Sequence, residues 1–185
     1  GGLQAAFQGS EPHLVFTAYN VKSTVFPDPN TTEFVNPSIL HWSPSSGVTK
    51  VCGKFNIPSL ADTITTALMA PVGQPSIRVS SNNTIVCSYT TFLWGNTQVV
   101  NDGSVLNTGE ILYSQSNNNG VNWSTPVNIT NTPGIEEKHS SLVEKSPSDT
   151  VKIYYLRDMK AGGWVNIPAW GIAPVYGIYK NLGAT

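Results

Sequence analysis

Charge is scarce in this sequence. Lys, Arg, Asp and Glu make up 11% of the 185 residues and the formal net charge is −1, whereas an average soluble domain carries roughly 25% charged residues. A chain so close to neutral has no basic stripe to grip phosphates, so neither nucleic acid nor an anionic lipid surface is an expected partner. Long apolar runs are missing as well. No stretch approaches the roughly 20 residues a spanning helix needs, which excludes membrane insertion by that route. The numbering starts at Gly1 without a charged and apolar leader, so a signal peptide, if there is one, is removed or lies outside it. Cysteine is limited to Cys52 and Cys87, in no Cys-x-x-Cys pattern. Two such thiols cannot build a zinc site or attach a haem, and they leave a disulfide and a pair of buried free thiols both open. Helical periodicity is weak throughout. Only Leu60 to Met69 has the spacing of a short helix, and its threonines argue against it.

What the chain does have is Ser, Thr, Asn and Gly, with 10% aromatics. Hydroxyls and amides solvate the surface in the manner of extracellular β-rich proteins. Short β-branched and aromatic runs recur three times in the same order, each bounded by turn residues. First strands are expected at Leu3 to Phe7, Pro75 to Val79 and Ser140 to Val143. Second strands are expected at His13 to Tyr19, Thr84 to Thr90 and Val151 to Leu156, each after a tight polar turn, so the pairs read as hairpins. Third strands begin near Pro37, Gly109 and Pro174, which stand 72 and 65 residues apart; Phe16, Tyr89 and Tyr155 stand 73 and 66 apart. Fourth strands fit at Val48 to Cys52 and Pro126 to Thr130, and the third set has no counterpart.

A four-stranded antiparallel unit repeated along a chain builds a β-propeller, because one small sheet cannot cover its own two faces. The expected fold is therefore all-β, with blades at about 1–60, 70–131 and 138–185, the last lacking a strand. Three blades are too few to close a ring, so half of a six-bladed propeller is expected, completed by more of the same polypeptide or by another chain. A β-sandwich is the competing architecture.

The most specific local signal is Ser116-Asn117-Asn118-Asn119-Gly120-Val121-Asn122-Trp123, which falls between the third and fourth strands of the second unit. It resembles the Asp box, or BNR repeat, of sialidase-like propellers. Asn118 stands where that motif has Asp, keeping a side-chain acceptor for turn amides and giving up the charge. Gly120 is expected at positive φ and Trp123 is expected to pack the turn against its sheet. In that family the turn is structural, so Ser116, Asn118, Gly120 and Trp123 are expected to be scaffold and not ligand contacts. The openings Gln74-Pro75-Ser76-Ile77 and Lys138 to Leu142 look like blade starts of the same family, and Ser46-Gly47-Val48 looks like a degenerate turn of the same sort.

The catalytic half of the resemblance does not carry over. Enzymes of that family hold a substrate carboxylate with three arginines, whose planar forks suit it, and this chain has Arg78 and Arg157 alone. His13, His41 and His139 lack the i, i+4 spacing of a helical metal site and read as structural imidazoles. Glu136 and Glu137, beside Lys138, read as a solvated turn and not as a glycosidase acid pair. No cofactor is expected, apart from a minor option of calcium at Asp102 in the Asn101-Asp102-Gly103 turn. Loops Asn20 to Asn36, Thr91 to Thr108 and Arg157 to Ala173 all join second to third strands and would project from one face. The last, with Arg157, Asp158, Lys160, Trp164 and Trp170, is the candidate surface for carbohydrate or protein. These readings point to a secreted or cell-surface binding or structural module. A fragment of a sialidase-type glycoside hydrolase and a subunit of a larger extracellular assembly are the alternatives.

Overall fold

The structure, a computed structural model, describes residues 2–22, 33–61, 70–144, 150–162 and 173–184. Among them there is no α-helix. The first sheet holds β1 (Leu3–Gln8), β2 (Glu11–Lys22), β3 (Glu33–Ser43) and β4 (Gly47–Gly53) in that order, every neighbour antiparallel. The second holds β5 (Val72–Val79), β6 (Ile85–Val99), β7 (Val105–Ser116) and the two-residue β8 (Val127–Asn128). The third has β9 (Glu136–Leu142), β10 (Thr150–Asp158) and β11 (Val175–Ala184), with β10 in the middle. Each sheet is a meander, as short polar turns between alternating runs dictate.

The three sheets stack with the second in the middle, and β6 shows why its sequence differs from a half-exposed strand. Ile85 to Phe92 is buried at every position, the continuous pattern of a strand covered on both faces. Alternation sends Ile85, Cys87 and Tyr89 towards the first sheet, where they meet Val15, Ile39, Val51 and Cys52. It sends Val86 to the other side, where Val86, Ile111 and Ile129 meet Leu142, Val151, Ile153 and Tyr155 of the third sheet. Cys52 and Cys87 are both free and buried in the first of these cores, so the disulfide alternative falls.

The outward faces of the two end sheets are apolar and uncovered. Phe7 is 66% exposed on the first sheet, and Leu3 and Val48 are exposed on it as well. On the third sheet Tyr154, 52% exposed, pairs across the strands with Tyr179, their rings 4.9 Å apart, and Leu156 and Val175 are exposed too.

Several expectations are corrected. Thr91 to Thr108 is not a long loop: β6 and β7 continue as a ladder, with an irregularity between Phe92 and Thr97, to a turn closed by Val100 N–H on Ser104 O and Gly103 N–H on Val100 O. Strand β9 begins at Glu136 and not at Ser140, which removes Glu136 and Glu137 from the solvated turn. Arg157 and Asp158 end β10 instead of opening the loop that follows. Most of the Leu60 to Met69 segment, and most of the loops after Asn20 and Arg157 with Trp164 and Trp170, lie outside the described residues.

Candidate functional site

The turn after β7 is built by side chains that take the place of backbone partners. Ser116 Oγ accepts from Gly120 N at 3.0 Å and donates to Asn118 Oδ1 at 2.9 Å, and Asn118 Oδ1 accepts from Asn122 N at 2.9 Å. Asn118 therefore does with a neutral amide what a carboxylate would do. Trp123 Nε1 donates to the Gly120 carbonyl at 3.0 Å. Gly120 has φ +79, and its missing side chain makes room for the first sheet: a Cβ there would lie 2.1 Å from Cε1 of His41.

His41 is the top of a buried pair that sequence spacing did not reveal. His13 Nδ1 and His41 Nε2 are 3.0 Å apart, the rings are stacked, and both residues are fully buried. Thr49 orders the pair. Its hydroxyl gives its one proton to the Gly120 carbonyl at 2.6 Å, so it accepts from His41 Nδ1 at 3.2 Å. His41 Nε2 is then an acceptor and takes the proton of His13 Nδ1, which leaves His13 Nε2 as a buried lone pair without a partner. Burial holds both rings below the usual histidine range, His41 at about 4. His139 is elsewhere, exposed on β9 at φ +56.

The second cluster lies between the second and third sheets, beside the Asp158 end of β10. Glu137 is fully buried, its Oε1 accepting from Thr132 Oγ1 at 2.6 Å and from Arg157 Nε at 2.9 Å. Glu110 accepts from Asn96 Nδ2 at 3.2 Å, from Thr132 N at 2.9 Å and from Thr130 Oγ1. Lys138 Nζ lies 3.7 Å from Asp158 Oδ2. Gly109 lets β7 come this close, since a Cβ there would sit 2.6 Å from the Glu137 carbonyl oxygen. Burial pushes Glu136 up to about 7, against the pull of Lys138.

Chemically, this cluster is two ion pairs, Arg157 with Glu137 and Lys138 with Asp158, with Glu110 and Glu136 buried beside them, and not an acid pair facing a substrate. Glu136 and Glu137 are consecutive on a strand, so their side chains leave on opposite faces, and each is 1% exposed or less. Of the sequence-selected surface residues, Arg157 and Asp158 are tied inward to Glu137 and Lys138, and Lys160 Nζ reaches Asn101 Oδ1 at 3.0 Å. Gln98, which sequence reading missed, joins the loop bases of the two sheets through Gly134 O, Met159 O and Ala161 N. Among the described residues no group of His, Cys, Asp and Glu could hold a metal ion. Asp102 accepts from Ser104 N at 2.9 Å, as a turn former does.

No protein-family model and no curated protein matches this chain. Among solved structures it is similar to the Hadza microbial sialidase Hz136, with a TM-score of 0.51 and 15% identity over 84% of this chain and 31% of that one. The chain thus spans about a third of the length of that relative. The fold is sialidase-like: all-β, in antiparallel sheets stacked as propeller blades are.

Proposed function

We propose that this chain is part of a secreted or cell-surface β-propeller, about half of a six-bladed ring, that binds and does not catalyse. The observation that carries this reading is the separation of its two arginines. Arg78 Nη1 donates to the carbonyl of Thr150, at the start of β10, while Arg157, near the other end of that strand, holds Glu137. Seven residues of extended chain separate Thr150 from Arg157, about 23 Å at 3.3 Å per residue. Two guanidinium groups so placed cannot grip one carboxylate. The exposed apolar faces of the first and third sheets support ring closure by further sheets, from more of the same polypeptide or from another chain, because such faces are what stacked sheets cover. Recognition of carbohydrate or protein then falls to the surface that carries Lys160 and Gln98.

The rival reading, a piece of a sialidase-type glycoside hydrolase, draws on the likeness to Hz136. Two measurements on the purified chain separate the readings: solution mass, and hydrolysis of a fluorogenic sialoside. Self-association or capture of a partner with no turnover is expected. Turnover that disappears in Arg157→Met would overturn the binding reading, and a monodisperse monomer of 19.9 kDa would overturn obligate closure by a second copy.

A further inference from the structure

Glu136 and Lys138 on β9 and Asp158 on β10 bring three side chains to one face of the third sheet. Asp158 stands directly opposite Glu136, and Lys138 opposite Leu156. Opposed residues share a face, and so do residues two apart on one strand. All three are buried, with Glu136 1%, Lys138 4% and Asp158 6% exposed. We propose that this triad makes its own cross-link: Lys138 Nζ and Asp158 Cγ join in an amide bond between β9 and β10, with Glu136 carrying the protons. The inference goes beyond the binding reading above and does not rest on it.

Lys138 Nζ lies 3.7 Å from Asp158 Oδ2, longer than a hydrogen bond, and has no hydrogen-bond partner. An ammonium with three donors is thus buried with none of them used. The other face of the same two strands shows the contrast. There Arg157 Nε meets Glu137 Oε1 at 2.9 Å and Thr132 adds a second bond, so that pair is satisfied. A guanidinium also stays charged and offers no lone pair, whereas an ammonium that gives up a proton becomes a nucleophile.

Asp158 supplies the other half of the site. Its Oδ1 accepts from Lys160 N–H at 3.0 Å while its Oδ2 faces the amine. A backbone donor on Oδ1 steadies the negative charge that gathers there when Cγ is attacked, and Oδ2 is placed to leave. Glu136 Oε2 is buried without a partner. Burial pushes the Glu136 carboxyl up to about 7 against the pull of Lys138, with Asp158 adding to the rise, so at neutral pH it can both hold a proton and take one.

The step balances without any outside reagent. One proton passes from Lys138 Nζ through Glu136 to Asp158 Oδ2, leaving an uncharged amine and an uncharged acid. The Nζ lone pair then forms the bond to Cγ as the carbonyl pair moves onto Oδ1. A second proton passes from Nζ through Glu136 to Oδ2, the Cγ–Oδ2 bond breaks with its electron pair, and water leaves as the carbonyl re-forms. Glu136 ends as it began. Two buried charges are removed, which relieves the desolvation of the ion pair, and fixed placement replaces the encounter that the same groups would need in water. Among the described residues the third sheet has three strands where the others have four. The bond ties its middle strand to β9 and restricts the unfolded chain as a disulfide would.

The test is the intact mass of the purified whole chain after incubation at neutral pH, followed by protease digestion and tandem mass spectrometry. The wild type should run about 18 Da below the mass of its sequence, the one water lost, and residues 138 and 158 should appear in a single branched peptide. Lys138→Arg should keep the full mass. Glu136→Gln should slow bond formation about 100-fold or more, with near-ultraviolet circular dichroism matching the wild type. Should either variant fold poorly, the branched peptide of the wild type decides, because it names both ends of the bond. A wild type that stays at full mass would overturn the proposal. So would a loss of water that persists in Lys138→Arg, as dehydration of the Asp102-Gly103 turn would, or a folded Glu136→Gln that reacts at the wild-type rate.

Discussion

Replacing Gly120 by Ala tests how the turn after β7 is joined to the first sheet. The new Cβ would lie 2.1, 2.5 and 2.8 Å from Cε1, Nδ1 and Nε2 of His41, and the backbone would have to keep φ near +79. His41 cannot swing aside freely, because His13 and Thr49 hold its two nitrogens at 3.0 and 3.2 Å and Trp123 stands against its ring. Losing those two hydrogen bonds costs about 1 kcal/mol each. Crowding a packed site adds about 1–3 kcal/mol, and a left-handed backbone at a non-glycine residue adds about 1 kcal/mol. The expected loss is roughly 4–6 kcal/mol, a large part of the 5–15 kcal/mol that holds an ordinary domain together. Asn117→Ala is the control within the same turn. It removes only the bond from Thr84 Oγ1 at 2.9 Å and should cost about 1 kcal/mol or less. Urea unfolding followed by tryptophan fluorescence measures both. Repeating Gly120→Ala in a His41→Ala background removes the obstacle, and the penalty should shrink to the backbone part, about 1 kcal/mol. A Gly120→Ala loss no larger than that of Asn117→Ala, or an equal loss in the two backgrounds, would refute the reasoning.

Stability should be nearly flat between pH 4.5 and 6.5, because two buried groups oppose each other. His41 is depressed to about 4, so in this window the unfolded chain binds the extra proton and acid weakens the fold. Glu136 is raised to about 7, so the folded chain binds the extra proton and acid strengthens the fold. Each effect spans about 3 kcal/mol, with His13 adding to the first and Glu137 to the second. Glu136→Gln should therefore expose a loss of stability on acidification and His41→Gln a gain, both read from urea midpoints, and parallel profiles for the two variants would contradict the assignment. The thiols should be inert in the folded protein: burial pushes Cys52 up to about 12 and Cys87 well above its usual range, so aromatic disulfide reagents should label neither until urea is added, and fast labelling at neutral pH would show that the first core is open.

Order and turn chemistry were legible because they are local. Period-two alternation, Gly, Asn and Ser at strand ends, and one Ser-x-Asn-x-Gly-x-x-Trp turn are each contained within a few residues, and they were enough to place three sheets and the turn that Ser116, Asn118 and Gly120 form. Contacts between distant residues were not legible in this way. Glu136, Glu137 and Lys138 look like a solvated turn until Thr132 and Arg157 arrive to pair with Glu137, and Asp158 with Lys138, and all three are buried. His13 and His41, 28 residues apart, become one hydrogen-bonded unit only because β2 and β3 lie side by side under a turn from the next sheet. The residues from Thr91 to Thr108 carry loop-like polar letters, yet they pair as a ladder because β6 and β7 have each other's backbone at hand. Sequence alone determined the order of the strands and most of the turns between them, since those preferences belong to the residues themselves. Only the tertiary structure decided which charges are buried and paired, because burial depends on what the rest of the chain brings alongside.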